Sequence, residues 1–249
     1  MNTKFNISET KELMNRGLTD REIASILGCT PNQFARHRKR TLKMDPNNPN
    51  SSYNLTKEEL EIIIGTLLGD STIRYVHNKC LYPSLSFSHC EKQKEWAEWK
   101  SNKLNNLKAS FNGYVKKSGF NNYPTLTYQF TGKNLKCLCS IHEIFYQNGK
   151  KVIPIQFLSE HMSELSIYCL MMDDGYYDPH TNSFGLCTNC FELDDIKEFC
   201  KLLNEKFSLE FTIKKDKSIY LRHKSNKMMF EILKTYNECE SMNYKCCSH

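Results

Sequence analysis

Two stretches of this chain are apolar on every side and run into an aspartate: residues 62–73, IIIGTLLGDSTI, and residues 167–177, IYCLMMDDGYY. A helix without a polar face has to be buried. The pattern therefore predicts two core helices, over 56–69 and 163–174, with Asp70 and Asp174 at their ends. The surroundings of each helix repeat. After Asp70 come two strand-like stretches (71–78 and 82–89), an amphipathic helix over 91–107 carrying Trp96 and Trp99, two more strands (113–120 and 125–130), and a helix over 135–146. After Asp174 the order is the same: strands at 175–179 and 182–188, a helix over 192–207, strands at 210–216 and 218–224, and a helix over 226–238. A helix, hairpin, helix, hairpin, helix plan performed twice predicts an α+β fold of two pseudo-symmetric αββαββα halves. Packed together on the pseudo-twofold axis, the two apolar helices would cover each other and bring their carboxylates to one end. Gly65 and Gly69 would permit a close approach, with Cys169 small on the facing helix; Asp173, which matches Gly69, fits that contact less easily.

Ahead of these halves the periodicity is that of short helices. Ser8 can cap a helix over 9–16 that stops at Gly17. In the stretch LTDREIASILGCTPNQFARHRKR, Thr19 and Glu22 form a capping box, and Ile23, Ile26 and Leu27 give the next helix its apolar stripe. Gly28 ends that helix, Thr30 caps a third, and Pro31 occupies the first position, where a missing N–H costs nothing. This resembles a helix-turn-helix, with Ala24 at the helix crossing and Phe34 in the core. Its recognition helix would offer Asn32, Gln33, Arg36 and His37 to base edges, and Arg38, Lys39, Arg40 and Lys43 to phosphates. The alternative is a helical pair for protein contact with a solvated basic tail. The predicted division is a helix-turn-helix unit over 1–43, a Pro- and Asn-rich linker over 44–54, a first half over 55–150 and a second over 151–249.

Charge supports the nucleic-acid reading of the first unit. Of a net charge of +6 over 249 residues, residues 1–44 hold nine basic side chains against four acidic ones. The start, MNTKFNISETK, has no apolar h-region, and the strongly apolar run at 62–68 is far too short to cross a bilayer. A soluble, cytoplasmic protein without membrane partners is expected; the Lys- and Asn-heavy composition suits a genome rich in A·T, and the helix-turn-helix suits a bacterial or phage source. Twelve cysteines without an export signal predict reduced thiols. Cys187 and Cys190 have zinc-ligand spacing, with Cys246, Cys247 and His249 as conceivable partners. Without a second such pair, buried or incidental thiols are the expected reading and a structural zinc is not.

Several segments, taken together, carry a resemblance. GTLLGDS (65–71) and LMMDDG (170–175) resemble the paired motifs of the LAGLIDADG homing endonucleases in their single-chain, double-motif form. KKVIP (150–154), MNYK (242–245), FSHCEKQKEWAEWK (87–100) and LCTNCFELDDIKEF (186–199) match further family positions in the right order. Ser71 departs from the usual glycine, Asn189 stands where many relatives carry glutamine, and the N-terminal unit lies outside the core family fold. The resemblance implies a saddle-shaped platform of antiparallel sheets on double-stranded DNA, cleaved by a monomer. It implies Mg²⁺ (or another divalent cation such as Mn²⁺) held by Asp70 and Asp174, with Lys151 and Lys245 orienting water and offsetting phosphate charge. Basic positions on the hairpins would face DNA: Arg74, His77, Lys116 and Lys117 in the first half, and Lys214, Lys215, Lys217, Arg222, His223 and Lys224 in the second. The expected function is a site-specific homing endonuclease encoded by a mobile element. The alternatives are a non-catalytic DNA-binding regulator, or an RNA maturase whose partner is host intron RNA.

Overall fold

The computed structural model describes residues 5–15, 18–40, 53–75, 82–117 and 124–246. The predicted linker lies almost wholly outside them, as do Lys43, His77, Cys247 and His249. Three short helices come first: α1 (Ile7–Asn15), α2 (Asp20–Ile26) and α3 (Pro31–Arg40). They pack around Leu13, Ile23, Ala24 and Phe34, a small core separate from the main one. Thr19 and Glu22 close the expected capping box on α2, and Gly28 turns the chain towards α3 at φ +63°. The start of α1 differs from the sequence reading. Asn6, not Ser8, accepts the first free N–H groups, those of Ser8 at 3.0 Å and Glu9 at 3.4 Å.

The first half consists of α4 (Lys57–Leu68), β1 (Thr72–Arg74), β2 (Ser84–Cys90), α5 (Lys94–Lys103), β3 (Lys108–Lys117), β4 (Pro124–Gly132) and α6 (Leu138–Phe145). A two-residue hairpin, β5 (Tyr146–Gln147) and β6 (Lys150–Lys151), and α7 (Ile155–His161) lead to the second half. There α8 (Glu164–Asp174), β7 (Gly175–Asp178), β8 (Ser183–Leu186), α9 (Leu193–Phe207), β9 (Phe211–Ile213), β10 (Ile219–Leu221) and α10 (Asn226–Tyr236) repeat the order. The two sheets have the same antiparallel topology, β1-β2-β4-β3 and β7-β8-β10-β9. The helix predicted over 91–107 is split: 3₁₀ turns at Glu91–Gln93 and Asn105–Leu107 flank α5, and the asparagines at 105 and 106 favour leaving the helix. The second-half strands are shorter than their apolar alternation suggests, because Lys214–Ser218 forms a turn rather than more ladder.

At the centre, α4 and α8 lie against each other inside one core shared by both halves. The pattern gave these helices no polar face, and residues 62–68 and 165–173 are all buried. Their approach is as close as backbones allow. A Cβ added at Gly65 would lie 2.2 Å from the Ser166 carbonyl oxygen, and one at Gly69 would lie 2.6 Å from Asp173 Cβ. Ser166 donates its hydroxyl across the contact to the Glu61 carbonyl at 2.8 Å. No helix among the described residues is long and apolar enough to cross a membrane.

Candidate active site

Pairing α4 with α8 puts Asp70 and Asp174 at the same end of the helix pair. Asp174 feels the charge of Asp70. Burial and the neighbouring Asp70 and Asp173 push the Asp174 carboxyl up to about 7. Burial, then the charge of Asp173, raises Asp70 as well, although its side chain remains 41 % exposed on one side. Lys151 and Lys245 moderate both shifts. The two lysines stand in matching places. The Lys151 ammonium donates to the carbonyls of Gly69 (3.1 Å) and Ser71 (2.9 Å), and the Lys245 ammonium to those of Met172 and Asp173 (both 2.7 Å). Lys151 therefore satisfies carbonyls at and just beyond the end of α4, and Lys245 satisfies carbonyls at the end of α8. Burial lowers the pKa of both, against the pull of the surrounding acids.

Beneath this pair lies a buried network that the sequence did not disclose. Asp173 is completely enclosed. Its Oδ1 accepts from Trp96 Nε1 (2.7 Å) and from the Lys100 ammonium (2.7 Å), and its Oδ2 accepts from the Thr66 hydroxyl and again from Lys100 (3.1 Å). Burial alone would raise its pKa, but the charge of Lys100 and the hydrogen bonds from Lys100 and Thr66 bring it below the usual carboxylate range. Ser71, where Gly175 stands in the other half, hydrogen-bonds Thr66 at the edge of the same network. Half 2 has no room for that serine, since a Cβ at Gly175 would lie 2.5 Å from the Met171 carbonyl oxygen.

His89, on β2, is the further residue that sequence reasoning missed. Its side chain is 1 % exposed; Nδ1 lies 3.7 Å from Asp70 Oδ2 and 3.2 Å from Gln93 Oε1, and Nε2 lies 3.7 Å from Asp173 Oδ1. Burial and the Lys100 charge push its pKa down to about 4, so it is neutral near pH 7. Asp70, His89 and Asp173 bring three potential ligand atoms within 4.8 Å of one another. Asp173 has both oxygens committed to the network, so the open carboxylates are those of Asp70 and Asp174. Cys187 and Cys190 are exposed and lie close enough for Asp174 to raise their thiol pKa values further above the effect of burial; Cys246 is buried.

Comparison with known proteins fits this geometry. The model of the LAGLIDADG DNA endonuclease family matches residues 60–230. The chain belongs to that family. It is 33% identical over 123 residues to the intron-encoded endonuclease ai4 of Dictyostelium discoideum, covering 47% of this chain and 76% of that protein. It is 29% identical over 110 residues to the cytochrome b mRNA maturase bI2 of Debaryomyces hansenii, covering 42% of this chain and 40% of that one. Its fold is similar to that of the homing endonuclease I-WcaI bound to its DNA recognition sequence, with a TM-score of 0.72 at 22% identity, covering 85% and 98% of the two chains.

In this LAGLIDADG protein the basic positions on the two sheets differ in how far they are free. Arg74 and Lys116 are exposed on the first sheet; Lys117 is the last residue of β3, opposite Pro124. On the second, Lys214 and Lys215 are exposed at the β9–β10 turn. Arg222 and Lys224 are exposed too, but both pair with Glu210. Lys217 sits in the turn at φ +66° and reaches the Phe191 carbonyl at 3.4 Å, so its ammonium turns back towards the protein.

The N-terminal helices correct one of the assignments made from sequence and give two others additional local partners. Arg38 is buried and bonded to Asp20 at 2.8 Å, which removes it from a phosphate-facing set. His37 lies half-buried against Phe5, with ring centroids 4.5 Å apart, and burial lowers its pKa. Gln33 closes a second capping box: Oε1 accepts from the Thr30 N–H at 2.9 Å, while its own N–H donates to the Thr30 hydroxyl at 3.2 Å. Asn32, Arg36, Lys39 and Arg40 remain exposed on α3.

Proposed function

We propose that this protein is a site-specific, divalent-metal-dependent endonuclease that cuts both strands of a DNA duplex as a monomer. One observation carries the reading. Asp70 and Asp174, one from each pseudo-symmetric half, end a buried helix pair where burial and the repulsion of neighbouring aspartates disfavour their ionised forms. A divalent cation relieves that repulsion, and hard cations take carboxylate oxygens. The two residues would hold Mg²⁺ or Mn²⁺, which when bound supplies Lewis-acid polarisation of the phosphate and an activated water. Two halves related by a pseudo-twofold suit a duplex whose strands are related the same way. Lys151 and Lys245, fixed by paired carbonyl contacts, keep the helix ends rigid and place positive charge beside both carboxylates. His89 supports Asp70 from below as a neutral imidazole. The exposed face of α3, with Asn32, Arg36, Lys39 and Arg40, would add a DNA contact outside the core site.

The test is cleavage of a genomic DNA library with Mg²⁺, sequencing all new ends, for the unaltered chain and for Asp70→Asn and Asp174→Asn. Discrete ends that vanish in each variant while DNA binding survives are the expected result. Ends that persist in both variants would refute the assignment. Similarity to the bI2 maturase gives a second reading, assistance of intron splicing. Splicing support retained by the Asp variants would establish that activity as separate from cleavage. A regulator that only binds DNA would have no use for the paired carboxylates.

A further inference from the structure

We infer that the target is read lopsidedly: base recognition is concentrated on the sheet of the first half, where Asn112 and Gln129 determine specificity, while the second sheet holds mainly the DNA backbone. The inference rests on the endonuclease reading above and deepens it. Two independent differences between the halves support it.

The first is reach. β3 has 10 residues and β4 has 9. At roughly 3.4 Å per residue, such strands extend about 30 Å, or on the order of nine base pairs at about 3.4 Å each. In the second half, β7 and β8 have 4 residues and β9 and β10 have 3, and both connecting turns are fully described. That platform spans about a third of the distance.

The second difference is what the outward side chains are already doing. Cross-strand partners share a face, and Ser88 opposes Gln129, which opposes Asn112. These three form one row across β2, β4 and β3. None of them has a side-chain partner among the described residues, and the same is true of Arg74. A carboxamide presents a donor and an acceptor together, the pair that matches adenine N7 and N6 in the major groove. On the second sheet the corresponding side chains are spent on one another. The Tyr176 ring covers Gly185, where an added Cβ would lie 2.2 Å from Cζ. The Tyr220 hydroxyl bonds Thr181, and the Lys214 ammonium sits 4.4 Å over the Tyr220 ring and 3.4 Å from the Tyr176 hydroxyl. To read a base, these groups would first have to give up their partners. With Arg222 and Lys224 paired to Glu210 and Lys217 turned back to the protein, what remains available there is the exposed Lys215, a charge that phosphates attract whatever the sequence.

The experiment uses the full chain and a duplex library carrying every single substitution across the cleaved site. The library is read twice, by Mg²⁺-dependent cutting and by binding without divalent metal. The inference expects most of the preference to fall on one side of the cut. Gln129→Ala and Asn112→Ala should each relax it there, at one or two neighbouring positions, by on the order of ten-fold. Gln129→Glu, which replaces a donor with an acceptor, should move the preferred base towards cytosine. Circular dichroism of each variant, together with the Glu variant's gain of a new preference, guards against loss of fold. Equal preference on both sides, or an unchanged profile in all three variants, would overturn the inference. Binding that is lopsided without any cutting would sustain it and refute the endonuclease reading alone.

Discussion

Asp173 and Asp174 are neighbours in the chain and opposites in state. The first is enclosed, ion-paired to Lys100 and ionised; the second is half-buried beside Asp70 and Asp173, Lys245 and Lys151 only partly offset them, and its carboxyl rises to about 7. The direction fixes how pH acts. A carboxyl whose folded pKa exceeds its unfolded value stabilises the fold fully below the unfolded value of about 4, and that contribution is lost as pH rises through 7. Metal binding requires the ionised form, so it must expel the proton. Mg²⁺ affinity should therefore climb from about pH 5.5 and level off above about pH 7.5, with proton release at the acid end of the range. Titration calorimetry in two buffers of different ionisation enthalpy counts that proton. Asp174→Asn should abolish the release. Affinity that stays flat across the range would show that Asp174 is already ionised before metal arrives. Asp70 and Asp174 were legible because an apolar run ending on an acid, twice, has few structural explanations. The partner of Asp173 was not legible, because Lys100 lies 73 residues away on a helix whose lysines read as solvated.

Among the elements, the contact of α4 with α8 fixes the distance between the two carboxylates, and two glycines set it. Gly65→Ala would drive a Cβ to 2.2 Å from the Ser166 carbonyl oxygen and 2.7 Å from Cys169 Cβ. Neither neighbour is the far end of a flexible side chain, so the helices must separate. Overpacking of this kind costs about 1–3 kcal/mol. A matching fall in the denaturant midpoint should accompany weakened cutting. A variant as stable and active as the parent would show that the helix pair has slack. Sequence periodicity exposed this pair because burial on all sides is written into every position. It did not expose α7, seven residues long and without a side-chain cap. The β5–β6 hairpin had left a signal: the pair Asn148-Gly149, both at positive φ, is the composition that a two-residue turn demands. That hairpin matters because it delivers Lys151 to the end of α4. The strand ends in the second half were overestimated, since basic residues at 214 and 215 continue an alternating pattern that the turn at Lys217 interrupts.

At the scale of the whole molecule, charge and core are divided differently from catalysis. The N-terminal helices have their own core of Leu13, Ile23, Ala24 and Phe34, and residues 1–44 carry most of the excess positive charge. The aspartates belong to the other core. A phosphate contact releases counterions, so each one adds about 0.9 to the slope of log affinity against log salt. With Arg38 committed to Asp20, the exposed cations of α3 are Arg36, Lys39 and Arg40. If all three meet phosphates, replacing them together by alanine should reduce the salt slope by about 2 to 3. The ends produced by cutting should stay the same, because neither the carboxylate pair nor the half-1 sheet has been touched. Fluorescence anisotropy on a labelled target at several salt concentrations measures the slope, and end-sequencing checks the cut. An unchanged slope would assign α3 to protein contact. A reduced slope with displaced ends would mean that the N-terminal helices help choose the site as well as hold it.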